Sequence, residues 1–191
     1  MKILVCISKV PDTTSKINFV DNDTKFDENG VQYVVNPYDE WYALVRALEL
    51  VEVQGGSVTT ITVGTSADDP TIRKALAIGA NDAVRIDAEP VDSFFVSKQI
   101  ANYALKENFD IVMTGKETIN YNGAQIGAMV SELLDMPFVS LASKLDVVSN
   151  VATLERDVQA GIEVVEVEFP FVVSASKGMA EQRIPNMRGI M

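Results

Sequence analysis

The stretch that most limits what this chain can fold into is Asp110–Leu134, DIVMTGKETINYNGAQIGAMVSELL, in which an apolar run, a polar loop and an amphipathic segment follow one another. Ile111, Val112 and Met113, bounded by Asp110 and Gly115, have the unbroken apolar character of a central parallel strand buried on both faces. Ile126, Met129, Val130, Leu133 and Leu134 fall at i, i+3, i+4, i+7 and i+8, which predicts one helix face packed on a sheet, with Asn122 in the N-cap place. From Thr118 to Val130 no side chain is charged, so the loop and the first helical turn offer N–H groups with no carboxylate beside them, a setting that suits an anion. Gly115, Gly123, Ala124, Gly127 and Ala128 keep bulk low where a ligand would approach the main chain. The same small residues also suit plain packing of a helix on a sheet, and the loop has neither the GxGxxG nor the GxxxxGKS/T spacing.

The rest of the chain repeats this alternation. Lys2–Val10 reads as strand one, closed by Pro11 and Asp12, and the polar stretch from there to Val35 reads as a hairpin outside the main layers. Asn36-Pro37-Tyr38-Asp39 predicts a helix start, with Asn36 as N-cap, Pro37 in the first helical position and Asp39 where an acid suits the dipole. Leu44, Ala47, Leu48 and Val51 supply its buried face, and Gly55-Gly56 ends it. Ser57–Val63 is a β-branched strand, Pro70 opens a short helix with Ile72, Ala75 and Leu76 inward, Ala83–Ile86 is a strand, and Val91–Glu107 is a helix. Strands alternating with helices predict a parallel sheet covered on both faces, a three-layer α/β fold. Beyond Pro137 strands follow strands: 138–141, 144–148, 151–158, 162–169 and 171–175, read as an antiparallel ribbon that joins or completes the sheet. The chain reads as a single domain, with the ribbon and a partner-docking segment at about 138–191. The basic, methionine-containing end of that segment fits either a frayed tail or a docking element.

Charge and residue usage narrow the function. A net charge of −11 argues against nucleic acid, because neutralising phosphates needs a basic surface. No apolar run approaches the length of about 20 residues that a transmembrane helix needs, and no signal-peptide pattern opens the chain, so a cytoplasmic location is expected. Cys6, the single cysteine, lies in an apolar strand and reads as a small buried hydrophobe. The sequence contains no histidine, which removes the commonest general base and the usual transition-metal ligand. Trp41 and Tyr42 read as helix packing with base stacking as the alternative. Lys116 reads equally as a phosphate contact or as a solvated lysine beside Glu117.

Taken in order, KILVCISKVPDT, NPYDE, RKALAIGAN, TGKETINYNGAQIG, GIEVVEVEFPFVV and the closing RIPNMRGIM resemble the beta subunit of electron transfer flavoprotein over essentially the whole chain. The resemblance implies an adenine-nucleotide alpha-hydrolase-like, Rossmann-like domain that pairs with an alpha subunit. It implies that the alpha subunit holds most of the FAD and that the beta subunit buries an AMP. In flavin-bifurcating members a second FAD with access to NADH takes the place of the AMP. Carried over to this chain, the adenine side corresponds to Cys6, to Asn36, Pro37, Tyr38 and Asp39, and to Val63. The phosphate loop corresponds to Gly115, Lys116, Glu117, Thr118, Ile119, Asn120, Tyr121, Asn122, Gly123, Ala124, Gln125 and Ile126.

Many members carry acidic residues in that loop where this chain has Asn120, Tyr121 and Asn122, which leaves the identity of the nucleotide open. Members also continue beyond the RGIM motif into a segment that reaches the alpha subunit and includes the loop recognised by dehydrogenases, so the resemblance assigns dehydrogenase docking to no residue of this sequence. The implied role is an electron carrier that accepts electrons from flavin dehydrogenases such as acyl-CoA dehydrogenase and passes them toward the respiratory chain. The alternatives are the flavin-bifurcating type and a stand-alone ATP- or AMP-binding regulatory module.

Overall fold

A computed structural model of the chain describes residues 1–181 and Arg183. Of the expected docking tail, residue 182 and residues 184–191 lie outside the described residues. Along the chain come β1 (Lys2–Cys6), β2 (Lys9–Pro11), β3 (Phe19–Val20), β4 (Lys25–Phe26), β5 (Tyr33–Val35), α1 (Asp39–Gln54), β6 (Ser57–Gly64), a 3₁₀ turn (Ser66–Asp68) and α2 (Asp69–Ile78). They are followed by β7 (Asp82–Asp87), α3 (Ser93–Glu107), β8 (Ile111–Gly115), α4 (Ile126–Leu134), β9 (Phe138–Val148), β10 (Val151–Val158), β11 (Gly161–Glu168) and β12 (Phe171–Ala175).

One eight-stranded sheet has the order β11-β10-β9-β12-β8-β1-β6-β7. The strands from β9 through β12, β8, β1, β6 to β7 pair in parallel, and β9, β10 and β11 pair antiparallel. Because side chains alternate along a strand, each central strand feeds two cores. Ile3, Val5, Ile111, Met113, Phe171 and Val173 face α1 with Leu44, Ala47 and Leu48. Leu4, Cys6, Ile61, Val112 and Val172 face the other layer, with Ile100 and Ala104 of α3 and Val130 of α4. The result is a three-layer, mostly parallel α/β fold of Rossmann-like type. No described helix is long and apolar enough to cross a membrane.

The order of the strands fixes where a ligand can sit. From β1 the chain builds outward through β6 and β7, and α3 then carries it back to β8 on the opposite flank of β1. The connections therefore diverge beyond the carboxyl ends of β1 and β8, the switch point at which open α/β sheets leave a crevice.

Four expectations change. Strand one is not continuous to Val10, because its C-terminal part peels away as β2 to pair with β5 in a separate hairpin, Val10 opposite Val34. Leu76 does not face inward but is 39% exposed, and Thr71 and Ile78 join Ile72 and Ala75 on the buried side of α2. The two strands expected at 138–148 are one, β9, carried through a kink where Leu141 takes φ +57° and its N–H donates to Ser174 Oγ at 2.9 Å. The last strand is not part of the antiparallel ribbon. Phe171–Ala175 is apolar throughout and enters the sheet in parallel between β8 and β9, where burial on both faces stabilises it.

The ribbon that remains is held to the body by α1, whose Arg46 donates from Nε and Nη2 to the Leu145 carbonyl at 2.8 and 2.7 Å while Gln54 Nε2 donates to the Val147 carbonyl at 2.8 Å. Leu145, Val147, Ala152 and Leu154 extend the α1-side core beneath it. Phe171 is fully buried in the middle of the sheet, so Phe171→Ala costs about 3–5 kcal/mol. Exposed Leu76→Ser stays within about 0.5 kcal/mol. Chemical denaturation of the two variants measures the difference.

Candidate functional site

Cys6 ends β1 and Gly115 ends the neighbouring β8, while Val63 lies at the carboxyl end of β6 on the far side of β1. The structure thus brings the three expected strand ends to one edge of the sheet. Cys6 is buried, and both that burial and the nearby Glu40 carboxyl push its thiol far above the ordinary range, which leaves it unreactive.

The segment before α1 closes this edge, by a different arrangement from the one expected. Asn36 is not the N-cap: the helix begins at Asp39, with Tyr38 as the flanking residue and no side-chain cap. Asn36 is fully buried, and its Nδ2 donates instead to the Glu117 carbonyl in the loop after β8, at 2.7 Å. Its N–H donates to the Ser8 carbonyl at 3.3 Å. One asparagine therefore links the loops that follow β1 and β8. Its Oδ1 is buried with no hydrogen-bond partner among the described residues, as is Thr114 Oγ1 at the end of β8. Pro37 is partly buried and Tyr38 is 49% exposed at the rim.

Asp39 and Glu40 complete the junction. The Asp39 carboxyl is raised by burial, offset in part by Lys116 and by the backbone N–H of Glu117. Glu40 accepts the Ser8 N–H at 2.7 Å on Oε2, and its Oε1 lies 2.8 Å from Ser8 Oγ. Burial pushes its carboxyl up to about 8, against the opposing effect of the Ser8 hydrogen bonds. Gly115 is required by this packing, since a Cβ there would lie 2.8 Å from Glu40 Cγ and 2.9 Å from the Glu40 backbone nitrogen.

Beyond Gly115 the loop turns outward. The Lys116 N–H donates to the Ala175 carbonyl of β12 at 2.8 Å, and its ammonium pairs with Glu117 at 2.8 Å, which neutralises the one cation of the loop. Thr118 and Ile119 are partly buried, and Asn120 through Gln125 are exposed. Thr118 carbonyl accepts the Asn122 N–H at 2.8 Å, and Asn122 and Ala124 take left-handed backbone angles of +48° and +51°. Asn122 therefore closes a turn rather than capping α4, which starts at Ile126 after Gln125 with no side-chain cap and no acid in its first turn. The first N–H groups of such a helix are free to meet a ligand.

The small residues divide into two kinds. A Cβ on Gly127 would meet Phe138 Cε2 at 2.8 Å and Thr114 Oγ1 at 2.9 Å, so this glycine serves helix-on-sheet packing. A Cβ on Gly123 would have no atom within 4 Å. Trp41 and Tyr42 pack against the α1-side core. Ser8, Glu40 and Thr114 were missed by sequence reasoning. Glu40 reads as an ordinary acid in a first helical turn, and only the closure of β8 over it makes it a buried group.

A family model described as an electron transfer flavoprotein domain matches residues 23–189. The chain is similar to the electron transfer flavoprotein subunit beta of Bacillus subtilis, 33% identical over all of this chain and 75% of the relative. It is likewise 33% identical to the subunit beta of Thermoanaerobacterium thermosaccharolyticum, over all of this chain and 74% of that protein. Against the mitochondrial subunit beta of Oryza sativa subsp. indica it is 34% identical, over all of this chain and 78% of the relative.

Gly115→Ala forces its methyl against the α1 backbone and costs about 1–3 kcal/mol, whereas Gly123→Ala shifts stability by less than about 0.5 kcal/mol. Thermal or urea unfolding of the two variants checks the division between packing and open glycines.

Proposed function

The chain belongs to the electron transfer flavoprotein family as a beta subunit, and on that premise we propose that it binds AMP in the switch-point crevice and walls the FAD cleft of a heterodimer. The alpha subunit holds most of that FAD, and the complex carries electrons from flavin dehydrogenases to an acceptor of the respiratory chain.

The observation that carries the nucleotide reading is the pairing of an uncharged, uncapped approach to α4 with the buried Asn36 Oδ1 and Thr114 Oγ1 at the same sheet edge, which have no hydrogen-bond partner among the described residues. Buried polar atoms are rarely left without partners, so their presence at a crevice supports a ligand that supplies them. The helix start favours the phosphate by its dipole and its N–H groups. Oxygen and nitrogen atoms of the nucleotide offer donors and acceptors to the inner side chains. Gly123 leaves the loop open for close approach of the main chain.

When bound, FAD supplies the redox chemistry. The residues of this chain bind, orient and exclude water, and the absence of histidine from the sequence is consistent with a subunit that needs no general base. Lys116 is engaged by Glu117 and contributes orientation of the loop rather than a free positive charge.

Purification of the chain with its alpha subunit, denaturation and chromatography of the released small molecules tests the reading. One AMP and one FAD per heterodimer are expected. Two FAD and no AMP would assign the flavin-bifurcating type. A chain that purifies alone with ATP, or with no nucleotide, would overturn the carrier reading in favour of a regulatory module.

A further inference from the structure

We infer that Ser8 is a hydrogen-bond donor to the bound nucleotide and that Glu40 is its positioning residue, holding the serine main chain and deciding, by carrying or losing a proton, whether the hydroxyl hydrogen is free for the ligand. This rests on the nucleotide reading of the crevice and adds to it a contact outside the residues carried over from the family.

Ser8 lies two residues beyond the end of β1, half-buried, at the mouth of the switch point. It is fixed from three directions. Its carbonyl accepts the Asn36 N–H at 3.3 Å, its N–H donates to Glu40 Oε2 at 2.7 Å, and its Oγ lies 2.8 Å from Glu40 Oε1. A single proton spans the last of these contacts, and it can belong to either partner. When Glu40 is ionised, Ser8 Oγ–H donates to Oε1 and is used up, and a negative charge stands beneath the crevice. When Glu40 is protonated, Oε2 is already an acceptor for the Ser8 N–H, so the proton sits on Oε1 and is donated to Ser8 Oγ. The serine hydrogen is then released to point toward a ligand acceptor, and the charge is gone.

The surroundings favour the protonated form. Glu40 is buried against Gly115 of β8. The titratable groups that face it are the Asp39 carboxyl on its own helix and the Cys6 thiol on β1. Lys116 and Glu117, from the loop after β8, act on Asp39 rather than on Glu40. No cation among these stands against Glu40 to hold its charge. With the carboxyl raised to about 8, Glu40 carries its proton at neutral pH. An anionic nucleotide raises it further, so binding above this range must take up a proton and affinity must fall as pH rises.

The test is AMP titration by calorimetry of the nucleotide-stripped chain purified with its alpha subunit, from pH 7 to pH 9. In this range a phosphate ester is past its second ionisation near 6 and no longer titrates. For a carboxyl near 8, AMP affinity is expected to drop about tenfold across the range, with proton uptake visible as a dependence of the binding heat on buffer. Glu40→Gln keeps an acceptor for the Ser8 N–H and a donor for Ser8 Oγ, and so is expected to hold AMP as well at pH 9 as at pH 7. Ser8→Ala is expected to weaken AMP at pH 7 by about five- to tenfold, the worth of one hydrogen bond, and to shrink the pH effect. AMP bound with wild-type pH dependence in Glu40→Gln, or with unchanged affinity in Ser8→Ala, would overturn the inference while leaving the nucleotide site intact. No AMP binding by the wild-type complex at any pH would overturn the nucleotide reading on which the inference rests.

Discussion

The arrangement at the site depends on the Asn36–Glu40 segment that leads into α1, which holds together two loops that the topology sends in opposite directions. The parallel pairing of β1 with β8 sets Ser8 and Glu117 side by side, but the chain leaves β1 toward the β2–β5 hairpin and leaves β8 toward α4, so beyond the strand ends the two loops diverge. Asn36 Nδ2 on the Glu117 carbonyl and Glu40 on Ser8 supply that link from a single helix start. Because these groups are buried, losing either partner leaves a desolvated donor or acceptor, a cost of about 1–3 kcal/mol each. The edge of the sheet is thereby held in place by contacts within the chain.

That link also sets the composition around it. Gly115 has to lack a side chain because Asp39 and Glu40 come down onto it, and Gly127 has to lack one because α4 comes down onto Phe138 and Thr114. Burying three polar side chains, Asn36, Asp39 and Glu40, at one helix start is unfavourable unless each finds partners. Asn36 finds only half of its complement among the described residues, since its Nδ2 is satisfied and its Oδ1 is not. The remaining acceptor is the feature that a packed structural junction does not require and that a ligand site does.

The layers were readable because periodicity follows directly from burial. The apolar runs at 2–6, 57–64 and 111–115 became central strands, and Ile100 and Ala104 took their expected places in α3. What failed to show was information held in distant contacts. Asn36 and Asn122 both stand where an N-cap would, yet the first is taken by a carbonyl more than eighty positions away and the second by a turn closing on Thr118. β12 looks like one more strand of a ribbon until the sheet is assembled and its two apolar faces find room only between β8 and β9. Likewise Gly123 and Gly127 are indistinguishable in the sequence, and only the neighbours of each show that one is open and the other packed.

On the proposed function, a nucleotide lies across the edge formed by the Asn36–Glu40 segment, Gly115 and the loop leading into α4. Backbone hydrogen exchange of the complex with its alpha subunit, measured with and without AMP, addresses it directly. Added protection at Ser8, at Gly123 and over Ile126–Ala128 is the predicted result. Protection absent from these segments, or confined to the ribbon from Phe138 to Glu168, would contradict it.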